Sequence, residues 1–540
     1  MRLFRDSKNK SDDESVSSSV QSTDSYGIFG SGCSDTSDCE CAEDRKRIER
    51  YKSPFCSLST SYNGCLGCYS NMDRLERMPL LTASNVASAY KTISSSDTLG
   101  PGEISDKDII ETCKRLEQKD TPARKKQSSL VTIFSVWNTI MGSSLLTMAW
   151  GVERAGLPTA LVLVAFMAAL CLYTAHLLLR VNKHHGSDTC EVPALCRTLL
   201  GPWAEAVAHV FSMLVLLGAN IVYWLLIANF LYHTVNYVMD LSSPNATHYS
   251  SALLCPKHEA MLETLSDPQT ATSPYWGLHS TVPFYVAIVV FPLLNFTNVT
   301  FFTKFNALGT ISVGYLVVFV VSKGAAWGAH AVSGVGASAH AAALSGMLAL
   351  SFYIHNIIIT IMSNNRRQEN NGRDLTIAFL LVTITYTLVG TVFYICFPLD
   401  KSCIEDNILN NFEMHDVMTA VARALLLFQV ITVYPLVAFM LRSEAILLLP
   451  FRETRCLTIC INAVIVALCI LVACLCPNIG TIIRYTGAVS GLVHIFALPS
   501  MLQVRSLQLR GKLTFWKAAL YFLIVLFGAV NLLMQFFISE

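Results

Sequence analysis

The chain has 540 residues, of which 53% are apolar and only 14% charged, and its mean hydropathy is +0.47. That balance excludes an ordinary soluble globular protein. A formal charge of +1 supplies no overall basic field, so no nucleic-acid partner is expected.

The charges are unevenly spread, with roughly half of them in residues 1–128. The pattern is a polar tail, 1–128, joined to a membrane domain, 129–540. The tail opens MRLFRDSKNKSDDESVSSSVQSTDSYG, without the apolar core that a cleavable signal peptide needs, so a cytosolic amino terminus is expected. Its serine runs and mixed charges cannot bury enough surface to offset the entropy of ordering, which predicts disorder apart from a short helix near Asp106 to Lys119. Glu76-Arg-Met-Pro-Leu80-Leu81 has the acidic dileucine spacing read by endosomal and lysosomal sorting adaptors, and Tyr26-Gly-Ile-Phe29 and Tyr69-Ser-Asn-Met72 have the tyrosine-based spacing. Cys65-Leu-Gly-Cys68 is half of a zinc site, with no second pair to complete it.

From Ser129 onward the sequence predicts an all-α membrane protein of eleven transmembrane helices, since apolar runs of about 20 residues suffice to cross a bilayer. They are expected at 129–151, 157–181, 204–235, 281–297, 304–322, 341–362, 373–397, 418–441, 455–476, 480–502 and 514–537. One set of loops holds Lys183, Arg197, Lys304, Arg366, Arg367, Arg373, Arg442, Arg452, Arg455, Arg505, Arg510 and Lys512. The other holds only Arg154, Lys257, Lys323 and Lys401. Basic residues are retained in the cytosol, so the tail is expected inside and the carboxyl terminus on the lumenal or outer side.

The two long outer loops are expected at 236–280 and 398–417. The first carries Asn245-Ala-Thr247, a glycan acceptor that only such a loop could use. Cys255 and Cys403 are the cysteines inside outer loops, where an oxidising compartment permits either a bridge between them or two free thiols.

Helix 1 interrupts its apolar run with Asn138, Thr139, Gly142, Ser143 and Ser144. An unwound segment there would supply amides for a substrate carboxylate and carbonyls for a cation, whereas the alternative is a small-residue packing face. Helix 6 is interrupted by Ser351, His355 and Asn356, in the corresponding place if helices 1–5 and 6–10 are inverted repeats with helix 11 appended. In helix 8, Gln429 and Thr432 share a face ahead of Pro435, and the Thr hydroxyl either ligates a hard monovalent cation or bonds to its own helix. Arg423, Phe428 and Val430 fit a loose sterol-contact pattern. The membrane part has no metalloprotease, phosphate-loop or nucleophile-elbow motif and lacks paired carboxylates within the spans, so an enzyme is not expected.

The segments WNTIMGSSLLTMAWGVERAGLP, NNRRQENNGRDLTIAFLLVTITY, LLFQVITVYPL and CPNIGTIIRYTGA closely resemble the sodium-coupled neutral amino acid transporter family, in particular its lysosomal, arginine-responsive branch. The resemblance covers about Ser129 to Ile538. It implies an amino acid/polyamine transporter-like fold that moves amino acids from lysosome to cytosol under arginine stimulation. By similarity the substrate segment is Asn138, Thr139, Ile140, Met141, Gly142, Ser143 and Ser144, a sodium ion is held by Asn138 and Thr432, and Cys255 and Cys403 match an inter-loop disulfide. Two positions depart from that branch, Ser143 standing for Thr and Ile357 for Cys. The tail is similar only through KRIERYKSP and ASAYKTIS, and its implied partners are the Rag GTPases and the Ragulator scaffold, leading to the TOR growth kinase. Two other readings remain: an arginine receptor with vestigial transport, supported by the long tail, and a proton-coupled vacuolar carrier, supported by His355 and His494.

Overall fold

The structure is a computed structural model and describes residues 127–186, 191–242, 253–255, 275–295, 308–330, 340–413, 415–448 and 454–538. Glu76, Leu80, Leu81 and Asn245 lie outside the described residues, as does the rest of the tail up to residue 126.

Hydrocarbon cannot hydrogen-bond a main chain, so a spanning segment must satisfy its own N–H and C=O groups, which an α-helix does. The helices are, in order, α1 (Ser129–Ile140), α2 (Ser144–Ala155), α3 (Leu157–His185), α4 (Val192–Leu200), α5 (Pro202–Leu241), α6 (Val282–Leu294), α7 (Leu308–Trp327), α8 (Ala341–Ser351), α9 (Ile358–Ser363), α10 (Asn371–Cys396), α11 (Val417–Leu448), α12 (Arg455–Leu475), α13 (Ile479–Gly491), α14 (Leu498–Leu509) and α15 (Phe515–Gln535). A π-helical segment, Leu492–Ala497, joins α13 to α14. Among the described residues there is no strand, only two isolated bridges, Gln127 with Asn365 and Leu253 with Phe412.

Eight helical segments are long and apolar enough to cross a membrane, and a ninth is obtained if α1 and α2, bent by 60° at their break, count as one span. The chain is thus a multi-pass membrane protein. Two other expected segments carry shorter helices, the 13-residue α6 and the 11-residue α8. The 341–362 run is divided at Phe352 to Ile357 between α8 and α9. Apolar composition registers only the hydrocarbon crossing, so several helices outrun it: α5 continues to Leu241 and α11 to Leu448. The helix α4 was not expected, because nine residues are too few to cross.

Between apolar helices the hydrophobic effect gives little drive in lipid, so close packing of small residues and interhelical hydrogen bonds take over. At the α8–α13 contact a Cβ added to Gly487 would lie 2.2 Å from the Gly346 carbonyl oxygen, so the two backbones touch there. The Ser345 hydroxyl donates to Asn531 Oδ1 at 2.6 Å, and Gln535 Nε2 donates to the Ala342 carbonyl at 2.8 Å, tying α15 to α8. Large apolar side chains such as Phe522, Leu523 and Leu533 remain exposed on α15, as a lipid-facing surface requires.

At the expected outer end, Cys255 and Cys403 are disulfide-bonded, joining positions 148 residues apart. The segment after α10 is pinned from within the bundle. Arg423 on α11 is buried and donates to the carbonyls of Leu409 at 2.7 Å and Phe412 at 3.2 Å, and Lys323 Nζ lies 2.7 Å from Asp416 Oδ1. Burial opposes ionisation of Asp416, but its hydrogen bonds to Lys323 and Thr419 outweigh it and hold the carboxyl below the usual range. The place of Arg423 corrects the sterol-contact pattern, whose basic residue faces protein carbonyls rather than a lipid headgroup.

Candidate functional site

The Met141-Gly142-Ser143 break divides the first span. The first helix closes with the Met141 amide donating to the Trp137 carbonyl at 2.9 Å, and α2 opens with short bonds from Leu145 to Gly142 and from Leu146 to Ser143. Among the described residues no main-chain acceptor is taken by the amides of Gly142, Ser143 and Ser144, which belong to the start of α2, where the helix dipole is positive. Ile140 and Met141 turn their side chains into the core, whereas Gly142 and Ser143 are half-buried. A Cβ at Gly142 would lie 3.6 Å from the Tyr223 hydroxyl, so the break faces α5 at that residue. Thr139 is exposed and its hydroxyl donates to the Ser135 carbonyl at 2.7 Å, within its own helix.

The second break follows α8, where the chain runs through Phe352 to Ile357 before α9 begins. The two breaks meet at one side chain. The Tyr386 hydroxyl on α10 is 3.0 Å from the Ile140 carbonyl and 3.2 Å from the Ser351 carbonyl, both of them helix-end groups without an intrahelical donor. Tyr386 is buried, with Phe352 edge-on at 5.6 Å.

A third group of polar atoms adjoins the end of α1. Asn138 Oδ1 accepts from the Thr310 hydroxyl at 3.3 Å, and a Cβ at Gly309 would lie 3.5 Å from that Oδ1 and 2.9 Å from Gln429 Nε2. The first span, α7 and α11 therefore converge, and Gly309 makes room for both amides. Gln429 Oε1 is buried with no hydrogen-bond partner among the described residues. Thr432 lies three residues further along α11, its hydroxyl proton directed at the Phe428 and Gln429 carbonyls at 3.1 and 2.8 Å and its lone pairs left to accept. Amide, hydroxyl and carbonyl oxygens are the donor set of a hard cation, and the orphaned Gln429 oxygen fits one.

A broken span with unpaired helix-start amides, beside a second broken helix and a set of oxygen donors, is the arrangement by which membrane carriers hold small zwitterions at mid-depth. Comparison with known proteins agrees. Residues 125–539 match the family described as transmembrane amino acid transporter protein.

The chain belongs to that family.

Within the transmembrane amino acid transporter family, it is 40% identical over 457 residues to the sodium-coupled neutral amino acid transporter 9 homolog of Caenorhabditis elegans, covering 76% of this chain and 74% of the relative. Neutral amino acid transporter 9 of Rattus norvegicus is 37% identical over 452 residues, 77% of this chain and 80% of that protein. Vacuolar amino acid transporter 2 of Saccharomyces cerevisiae is 21% identical over 490 residues, 86% and 94% of the two chains. Membership makes the chain an amino acid transporter rather than an enzyme by family. Tyr386, Tyr223, Gly309 and Thr310 were absent from the sequence reading of the site. A tyrosine or glycine inside an apolar helix looks like ordinary packing until its neighbours are known, although the adjacent Gly309-Thr310 pair at the head of a span was a usable signal.

Proposed function

We propose that this member of the family is a lysosomal amino acid transporter that exports amino acids to the cytosol, is stimulated by lumenal arginine and is linked to sodium. The observation that supports this reading is the Tyr386 hydroxyl shared between the two helix breaks, beside which Asn138 to Ser144 would form the substrate segment. The amides of Gly142, Ser143 and Ser144 would receive the substrate carboxylate. Asn138 and Thr432, with Gln429 beside them, would hold sodium, which would supply fixed positive charge next to the bound zwitterion.

In this reading the eleven-span count and the pairing of helices 1–5 with 6–10 as inverted repeats stand, the amino terminus is cytosolic and the carboxyl terminus lumenal. Asn245 is glycosylated, and Glu76, Leu80 and Leu81 direct delivery. The tail passes the arginine signal to Rag GTPases and Ragulator and so to TOR. The support is the similarity to relatives named neutral amino acid transporter 9 and the tail motifs.

Uptake of labelled arginine, leucine and glutamine by liposomes containing the full chain, with and without sodium, is the test. Ser143→Trp should abolish uptake while the protein stays folded, because an indole fills the break. Unchanged uptake by that variant would remove the substrate from helix 1, and binding of arginine without any flux would establish a receptor instead.

A further inference from the structure

The head of the first span and the tail of the second broken one are fastened together. The Gln127 amide donates to the Asn364 carbonyl and the Arg366 amide to the Gln127 carbonyl, both at 2.8 Å, which ties the start of α1 to the loop between α9 and α10. At this joint lies a cleft of about 380 Å³, within the size range of small-ligand sites. Ser129 and Leu130 line it from α1, and Arg366, Arg367 and Arg373 line it from the loop and the start of α10. No acidic residue is among its described lining. The loop is knitted by its own side chains. Buried Asn365 donates to Asp374 Oδ2 at 2.9 Å and accepts from the Arg367 amide at 3.3 Å, while Gln368 Nε2 spans the carbonyls of Met362, Ser363 and Asn365 at 3.1, 3.0 and 2.9 Å. The arginines are therefore held out from a fixed scaffold.

Their charges are not all spent. Arg373 is paired with the buried Asp374, Nη2 at 3.0 Å and Nε at 3.2 Å from Oδ1. Arg366 and Arg367 are exposed, and neither guanidinium has a partner among the described residues, so the cleft carries a surplus of about two positive charges. The Ser128 hydroxyl caps the Val131 amide at 3.5 Å and leaves the amides of Ser129 and Leu130 without an acceptor among the described residues, at the positive end of α1. Two forked cations beside helix-start amides are the complement of a dianionic phosphate, which takes guanidinium bidentately.

What adjoins the cleft separates a lipid from a dissolved anion. On α1, Leu130, Val131 and Phe134 are 68%, 51% and 52% exposed. On α10, the exposed Ile377, Leu380 and Ile384 follow Arg373 in steps of four, three and four residues, on one helix face. The Trp137 indole donates to the Thr385 hydroxyl at 3.4 Å, which keeps the two helices adjacent along this apolar surface. A dissolved phosphate would use the arginines and leave the apolar surface unused, whereas a phospholipid uses both. We propose that the cleft binds an anionic phospholipid whose headgroup carries a phosphomonoester, its phosphate on Arg366 and Arg367 and its acyl chains along the α1–α10 face. Basic pockets between spans on the cytosolic side take such headgroups, and this is the side expected for the arginine loop. A lipid gripping both α1 and the loop after α9 braces the joint between the two broken spans.

The test is binding of phosphatidylinositol 4-phosphate, labelled on an acyl chain, to the purified full chain in detergent. It uses neither flux nor orientation, so it stands whatever becomes of the transport reading. Wild type should bind this lipid several-fold more tightly than phosphatidylserine with the same chains. Arg366→Gln and Arg367→Gln should each weaken binding about 5-fold, and the double variant about 25-fold. Arg505→Gln, an exposed arginine of α14 that does not line the cleft, should bind like wild type. The unfolding midpoint without lipid should be the same in all variants, because the altered side chains are exposed, and added lipid should raise it in wild type more than in the double variant. Equal affinity of wild type and the double variant, or an equal loss in Arg505→Gln, would overturn the site. Phosphatidylserine bound as tightly would overturn the phosphomonoester. Soluble inositol 1,4,5-trisphosphate bound as tightly as the lipid would make the ligand a dissolved inositol phosphate and overturn the lipid.

Discussion

Replacing Tyr386 by Phe keeps the ring, its packing on Phe352 and nearly all its volume, and removes one oxygen. That oxygen serves two helix-end carbonyls, Ile140 at 3.0 Å and Ser351 at 3.2 Å, in a fully protein-lined interior. A buried acceptor left unsatisfied costs about 1–3 kcal/mol, and membrane hydrogen bonds fall toward the lower part of that range because the opened state finds other partners. A loss of about 1 kcal/mol is expected, which is roughly 5-fold in an equilibrium constant. Thermal unfolding in detergent should register this as a lowered midpoint. Liposomal uptake below saturation should fall by up to the same factor, because the arrangement of the two breaks is what the hydroxyl holds. Thr391→Val on the same helix is the control, since among the described residues the Thr391 hydroxyl serves only the Thr387 carbonyl one turn back at 2.6 Å. If Tyr386→Phe unfolds and transports like wild type and like this control, the two breaks are not held by Tyr386 and the site loses its organising contact.

At the α8–α13 contact, Gly487→Ala should destabilise by about 1–3 kcal/mol or fail to accumulate, because its Cβ meets backbone rather than a movable side chain. Gly314→Ala, where no neighbouring helix among the described residues comes within 4 Å of the added Cβ, should be neutral in the same unfolding measurement. Thr432→Ala should weaken any sodium dependence of uptake more than amino acid binding, since it deletes one oxygen and little volume; superimposable sodium titrations would make Thr432 a packing residue. Cys255→Ser, Cys403→Ser and the double variant should be equally destabilised, by about 2–5 kcal/mol, because each removes the same 148-residue closure. Two free thiols found by mass spectrometry of the native protein would refute the bridge.

Hydropathy alone determined that this chain is a multi-pass helical membrane protein, because a segment that crosses hydrocarbon must be long, apolar and internally hydrogen-bonded whatever its neighbours are. The interruptions at Gly142-Ser143 and after Ser351 were also legible, since polar and small residues inside an apolar run are locally conspicuous. Composition was silent on what meets at those interruptions. Tyr386 lies 246 residues from Ile140, and Gly309 earns its place only because the Asn138 and Gln429 amides arrive on either side of it. Arg423 fitted a loose sterol-contact pattern and is buried against carbonyls from the segment before it, since along a lipid-immersed helix charge pattern does not reveal which face turns inward. Length and apolarity are properties of one segment and survive in the linear chain, whereas hydrogen-bond partnership and helix-facing direction belong to pairs of segments and exist only once the helices have packed.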